Sequence, residues 1–172
     1  FAALPQRRLV LALANTLLVL AGFSLLRCLF NHSIAVIATI LIALDPFLLT
    51  QSRVYRTEGI TVGLMLLSVL MLLYYAQVQQ WRWLLASAVL AALAALTKLT
   101  SLYLLPFTVV VLLFWPILQS KPGALPLTLG KFGQFFTSVR LKQVIVDILI
   151  WSLTLVAAFF LLWPALWVAP LH

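Results

Sequence analysis

Three acidic side chains, Asp45, Glu58 and Asp147, occur in the 172 residues, and each lies within or beside a long apolar run. An acid in such a run is costly in a membrane unless it has a partner or a function, so each is a candidate for chemistry. Asp147 has an ordinary explanation, because Arg140 and Lys142 precede it and can pair with it. Asp45 and Glu58 are therefore the stronger candidates.

Basic side chains near Glu58 indicate a site for an anion. Arg53 and Arg56 precede it, and Lys98 lies in a short polar break that contains three hydroxyl side chains. Guanidinium and ammonium groups bind phosphate through charge-assisted hydrogen bonds. We predict that Arg53, Arg56, Lys98 and Asp45 bind substrate and that Glu58 is a candidate catalytic group.

Each of these residues also has a structural explanation, which the sequence leaves open. Glu58 follows Thr57 at a predicted helix start, where a hydroxyl can cap the helix and a carboxylate offsets its dipole. Asp45 precedes Pro46 at a predicted helix end. The basic side chains can extend to lipid headgroups from positions near the membrane surface.

Patterns typical of metal and nucleotide sites do not occur in the sequence. His32 and His172 are isolated, Cys28 is the single cysteine, and there is neither a glycine-rich phosphate loop nor a nucleophile elbow. We therefore expect no metal site and no cofactor within this chain. The net charge of +8 would suggest nucleic acid in a soluble protein, but here it favours lipid headgroups or a phosphate-bearing ligand.

The composition predicts that membrane helices position these side chains. Hydrophobic residues make up 65% of the sequence and charged residues 8%, with a mean hydropathy of +1.19. A soluble domain carries about 25% charged residues. The apolar runs are continuous, which excludes the alternating strands of a transmembrane barrel. The sequence therefore predicts an all-α, polytopic integral membrane protein.

About six transmembrane helices fit into the chain, since each span needs about 20 apolar residues. The run from Trp83 to Leu118 is 36 residues long. It would measure about 54 Å as one helix, too long for a hydrocarbon core of about 30 Å, so it must fold back at Lys98. The predicted spans cover residues 9–26, 34–49, 60–75, 83–97, 99–118 and 144–162.

Alternating spans place the charged segments on two sides of the membrane. The segment 50–58, the Lys98 turn and the tail 163–171 share one side, and the loop 119–143 lies on the other. That loop carries four basic residues and no acid, so we predict that it is cytoplasmic. We treat residues 1–172 as one transmembrane domain, and we expect the chain to be an internal fragment of a longer protein.

Three segments resemble motifs of one enzyme family. Ala43-Leu-Asp-Pro-Phe47 is followed by Gln51-Ser-Arg53 and then by Glu58. Leu93-Ala-Ala-Leu-Thr-Lys98 ends an alanine-rich helix, and Trp163-Pro-Ala-Leu-Trp-Val-Ala-Pro170 closes the chain. In this order they resemble the membrane glycosyltransferases of the C-type superfold (GT-C), in the branch of the protein O-mannosyltransferases and lipid A aminoarabinose transferases.

The resemblance implies part of a GT-C helical bundle and an enzyme that moves a sugar from a polyprenyl-phosphate carrier to an acceptor at the outer membrane face. It implies that Arg53 binds the carrier phosphate, that Lys98 lies near it, and that Glu58 stands where the family usually has Asp. It also implies that the catalytic base lies in a first outer loop upstream of Phe1, so we expect the fragment alone to be inactive. A divalent metal in the full-length protein is left open.

Two other functions remain as alternatives from the sequence. Asp45, Glu58 and Lys98 could line a path for protons or anions in a transporter or channel. Alternatively, the chain is a structural membrane subunit whose polar residues anchor it. For the transferase we expect a multi-pass protein of the bacterial cytoplasmic membrane, with lipids and a lipid-linked donor as partners and no nucleic acid.

Overall fold

The computed structural model describes residues 3–46, 50, 58–118 and 139–163, with side chains described at 9–46, 50, 58–115 and 141–163. Helices make up nearly all of these residues, and no strand occurs among them. The elements are α1 (Ala3–Leu29), α2 (His32–Ala43), α3 (Glu58–Val78), α4 (Trp81–Thr97), a 3-10 helix (Leu99–Tyr103), α5 (Leu104–Leu118) and α6 (Val139–Leu162). The all-α prediction is confirmed.

Within the described part of the chain, three helical segments are long and apolar enough to cross a membrane: Leu9–Leu29 of α1, all of α3, and Leu141–Leu162 of α6. The other apolar helices, α2, α4 and Leu99–Trp115, are shorter. A helix of 12 residues such as α2 is only about 18 Å long, against a hydrocarbon core of about 30 Å. The chain is an integral membrane protein whose apolar helices follow the order of the six predicted spans.

Two predicted boundaries are wrong. The second span was expected to reach residue 49, but α2 ends at Ala43 because Pro46 disfavours helical backbone before it and has no N–H to donate. The last helix begins at Val139, inside the segment predicted as the loop 119–143. Hydropathy marks only the apolar part of α6, whereas its polar first turns still favour helix.

The predicted fold-back at Lys98 is confirmed. α4 ends at Thr97, and Lys98 has extended backbone angles of φ −160° and ψ 126°. The 3-10 helix follows at once and leads into α5. Pro106 is tolerated in the first turn of α5, where a missing N–H breaks no helical hydrogen bond.

α3 lies at the centre of the helix packing and contacts α1, α4 and α5. α4 in turn packs against α6 as well as against α3. The buried face of α4 consists largely of alanine, which lets neighbouring helices approach closely. Its members are Ala88, Ala91, Ala92, Ala94 and Ala95. Trp151 of α6 is also almost fully buried and completes this core.

Glycine residues set the contact between α1 and α3. A Cβ built on Gly63 would lie 2.7 Å from Leu18 Cδ1, so only glycine fits there without a shift of Leu18. Along the two helices, Asn15 meets Gly59, Leu18 meets Gly63, and Gly22 meets Leu67. Because the residue numbers increase in the same direction along both helices, α1 and α3 run parallel.

Apolar side chains cover the outside of this bundle. Leu13, Leu17 and Leu20 of α1 each expose more than half of their surface, and α6 carries a similar exposed set. Soluble monomers rarely expose contiguous apolar surface on this scale. This surface suits contact with lipid or with other membrane helices.

Candidate functional site

An ion pair joins the start of α3 to the end of α4. Lys98 Nζ donates a hydrogen bond of 3.2 Å to Glu58 Oε1, although the two residues are forty positions apart in the sequence. The helices are antiparallel, so the first residue of α3 and the residue after α4 lie at the same end of the bundle. The structure thus brings together two of the five predicted site residues.

The pair is accessible to a ligand. The Lys98 side chain is 47% exposed and that of Glu58 is 28% exposed. An ion pair at this level of exposure stabilises a protein by only about 0–1 kcal/mol. An anion that offers Lys98 a better partner can therefore displace the Glu58 carboxylate.

The backbone of Lys98 is held on both sides. Its N–H donates to Ala94 O at 3.0 Å, and its carbonyl accepts from Ser101 N–H at 3.1 Å. Ser101 is buried, and its hydroxyl has no hydrogen-bond partner among the described residues. The short turn thus holds the backbone from which the Lys98 side chain extends towards Glu58.

A hydroxyl pair lies one turn inside the bundle from the ion pair. Thr61 Oγ1 and Thr97 Oγ1 are 2.7 Å apart, and Thr97 Oγ1 also donates to Ala94 O at 2.7 Å. Thr61 is 3% exposed and Thr97 is half-buried, so the contact is partly buried. Asn15 of α1 lies against Gly59, beside the first turn of α3.

The remaining predicted site residues are not brought to this pair by the described contacts. Asp45 is half-buried just beyond the end of α2, where its role as a ligand or as a helix-end residue stays a prediction. Arg53 and Arg56 lie outside the described residues, so their predicted phosphate contacts also stay predictions. Within the described ranges, no three His, Cys, Asp or Glu side chains group together as metal ligands.

Asp147 lies at the opposite end of α3. It is 9% exposed, and its carboxyl group interacts with the phenol group of Tyr75, near the end of that helix. Its described partner is thus the Tyr75 phenol rather than Lys142, which is exposed. The predicted pairing of Asp147 with Lys142 is wrong, because Asp147 is buried against α3 whereas Lys142 is exposed. The alternative pairing with Arg140 stays a prediction, since that side chain lies outside the described residues.

Sequence reasoning missed a row of polar contacts along α3. Thr61, Ser68 and Tyr75 are seven residues apart, a spacing that places them on one face of the helix. Each is buried, and each contacts a polar side chain of α4 or α6. Their partners are Thr97, Ser87 and Asp147. The spacing of seven in an apolar helix was the signal that could have found them.

A comparison with protein families decides the affiliation of the chain. The model of the dolichyl-phosphate-mannose-protein mannosyltransferase family matches residues 5–132, about three quarters of the sequence. The match includes Glu58 and Lys98. The chain belongs to this family. Searches of the curated proteins and of the solved structures find no match.

Membership of the mannosyltransferase family confirms the resemblance drawn from the sequence motifs. The chain belongs to a family of membrane glycosyltransferases of the GT-C type. The match spans α1 to α5, so the ion pair, the Thr61–Thr97 contact and the fold-back turn all belong to the shared region. The tail motif at 163–170 lies outside the matched residues.

Proposed function

We propose that this member of the mannosyltransferase family acts as an enzyme. It would transfer a sugar from a polyprenyl-phosphate-linked donor to an acceptor at the outer membrane face. The observation that carries the proposal is the Glu58–Lys98 pair, which lies at one end of the bundle within the region matched by the family. The family match also favours a transferase over the transporter, channel and structural alternatives.

Lys98 is the residue that we assign to the donor phosphate. When the sugar leaves, the carrier phosphate takes up negative charge, and a cation held nearby stabilises that charge in the transition state. The ammonium group is exposed, and its existing ion pair is weak enough to be exchanged. Arg53 and Arg56, which precede α3 in the sequence, are proposed to add guanidinium contacts to the same phosphate.

Glu58 is proposed to hold Lys98 at the mouth of the site when no donor is bound. Its carboxylate lies at the first residue of α3, where the helix dipole also favours a negative group. A bound phosphate then replaces the carboxylate as the partner of Lys98. The catalytic base is proposed to lie upstream of Phe1. The proposal also allows the full-length protein to use a divalent metal.

Transfer assays on the full-length protein test this assignment. The protein is reconstituted in vesicles with a synthetic polyprenyl-phosphate sugar, and transfer is compared between wild type, Lys98→Gln and Lys142→Gln. Lys142 is a matched control, because it is an exposed lysine near the opposite end of the bundle. We expect Lys98→Gln to lower kcat/KM about 100-fold, typical of losing one group that stabilises developing negative charge, and Lys142→Gln to have little effect.

Two results would contradict the proposal. Undiminished transfer by Lys98→Gln would remove the role of Lys98. A wild-type protein that transfers sugar from nucleotide donors and from no polyprenyl-phosphate donor would exclude the donor class.

The proposed orientation is tested by thiol labelling. The chain is an integral membrane protein, and we propose that it lies in a bacterial cytoplasmic membrane with the Lys98 end outside. In a Cys28→Ala background, a membrane-impermeant maleimide should label Lys98→Cys in intact cells and label Lys142→Cys only after the membrane is opened. Labelling of both positions from the same side would overturn this topology.

A further inference from the structure

We propose that Thr61 is a positioning residue that fixes Lys98 beside Glu58 through the hydrogen bond between its hydroxyl group and that of Thr97. The inference rests on the proposed role of Lys98 in donor binding and names a residue of α3 that acts on it through α4. Thr61 itself is buried and lies one turn away from the charged pair.

The Thr61–Thr97 contact is a short hydrogen bond between two hydroxyl groups. The two oxygens are 2.7 Å apart, and either hydroxyl can be the donor. The Thr97 hydroxyl is also 2.7 Å from the carbonyl oxygen of Ala94, within its own helix. Removing the Thr61 hydroxyl would therefore take away the bond between the helices and leave Thr97 with its bond to Ala94.

The contact joins the two segments that carry the charged residues. Thr97 is the last residue of α4 and is followed directly by Lys98, whereas Thr61 lies three positions after Glu58 at the start of α3. The axial offset between Thr61 and Thr97 is thus transmitted to Glu58 and Lys98 within one turn. A slip of one residue would move α3 by about 1.5 Å, enough to break the ion-pair geometry.

The next polar contact between α3 and α4 is too distant to replace it. Ser68 and Ser87 hold the same two helices, but Ser68 is seven residues further along α3, about 10 Å away. That contact fixes the middle of the helix pair and leaves its end free to shift. Among the residues that the structure describes, Thr61 ties α3 to α4 by a side-chain hydrogen bond between this middle contact and Lys98.

Cross-linking measures the positioning without requiring enzyme activity. In a Cys28→Ala background, Glu58→Cys and Lys98→Cys are combined and joined with a short thiol-specific cross-linker. The rate of cross-linking is compared between the protein with native Thr61 and two variants. Thr61→Val keeps the shape of the side chain without the hydroxyl, and Thr61→Ser keeps the hydroxyl. Thr154→Val is the matched control, since the Thr154 hydroxyl donates to Ile150 O within its own helix.

We expect Thr61→Val to slow cross-linking about threefold to fivefold, the size of one lost interhelical hydrogen bond. Thr61→Ser should restore the rate, and Thr154→Val should leave it unchanged. In the transfer assay, kcat/KM of the protein with native Glu58 and Lys98 should fall by a similar factor in Thr61→Val and recover in Thr61→Ser. Unchanged cross-linking in Thr61→Val, or no rescue by serine, would overturn the inference.

The failure of this inference differs from the failure of the proposed function. If the donor class is wrong, the wild-type protein is inactive with every polyprenyl-phosphate sugar, while the cross-linking rate still depends on the Thr61 hydroxyl. If Thr61 does not position Lys98, the wild-type protein transfers sugar normally, and the cross-linking rate is the same in Thr61→Val.

Discussion

Ser68 of α3 and Ser87 of α4 form a reciprocal hydrogen-bonded pair in the middle of the bundle. Each hydroxyl donates to the backbone carbonyl of the other residue, at 2.9 Å and 2.8 Å, and the two oxygens are 3.1 Å apart. Ser87 Oγ also accepts a 3.2 Å bond from Trp151 Nε1 of α6. Three helices therefore meet at one buried polar group.

Ser87→Ala should destabilise the protein more than Ser68→Ala. Both changes remove interhelical bonds that contribute about 0.6 to 2 kcal/mol in membrane proteins. Ser87→Ala also leaves the indole N–H of Trp151 buried without its partner, which adds a desolvation cost. Unfolding in mixed detergent micelles measures the difference. Ser24→Ala is the control, because the Ser24 hydroxyl bonds within α1. Equal stability of Ser87→Ala and Ser24→Ala would contradict the role of the pair.

Tyr75 and Asp147 should behave as a coupled pair at the opposite end of α3. Tyr75→Phe removes the phenol hydroxyl and leaves a buried carboxyl group without its partner. We expect a loss of about 1 kcal/mol in unfolding free energy. Once Asp147→Leu has removed the carboxyl group, Tyr75→Phe should cost much less, so the two effects should not add.

A double-mutant cycle in unfolding experiments measures the Tyr75–Asp147 coupling. Tyr103→Phe is the matched control for the change at Tyr75, because Tyr103 is 75% exposed and should tolerate the loss of its hydroxyl. Strictly additive effects of Tyr75→Phe and Asp147→Leu would show that the two residues do not interact.

Gly63→Ala should weaken the packing of α1 on α3. The added methyl group would lie 2.7 Å from Leu18 Cδ1 and 3.3 Å from Leu18 Cβ, so the whole side chain must move. Overpacking of this kind costs about 1–3 kcal/mol. Gly22→Ala is the matched control, since its nearest neighbour would be an ordinary 3.9 Å away and the gain in helix propensity is the same. Combining Gly63→Ala with Leu18→Ala should recover part of the loss.

The sequence was sufficient for the helical class and for the end of the bundle at which Glu58 and Lys98 lie. Apolar runs mark helices, polar breaks mark their ends, and alternation assigns those ends to sides of the membrane. The end of α2 could also have been placed better, because Pro46 restricts the backbone before it. These properties depend on local composition, which a single sequence contains.

The contacts between helices could not be predicted in the same way. A row of Thr61, Ser68 and Tyr75 indicates a polar face on α3, but it does not say which helix packs on that face. The rotation of each helix depends on packing details such as the alanine face of α4 and the close approach of Leu18 to Gly63. For this reason Asp147 could be identified as unusual from the sequence, while its partner Tyr75 could not.

Glu58→Gln should separate two roles for the carboxylate, as partner of Lys98 or as catalytic base. Loss of a general base lowers the rate about 10²- to 10⁴-fold, whereas loss of an exposed ion-pair partner changes it by about fivefold or less. We expect the smaller effect on kcat/KM, because Glu58 accepts a hydrogen bond from Lys98 and the glutamine amide oxygen can do the same. The effect should also disappear in the Lys98→Gln background, since Glu58 is proposed to act through Lys98. A rate loss of 100-fold or more that persists without Lys98 would instead make Glu58 a catalytic residue in its own right.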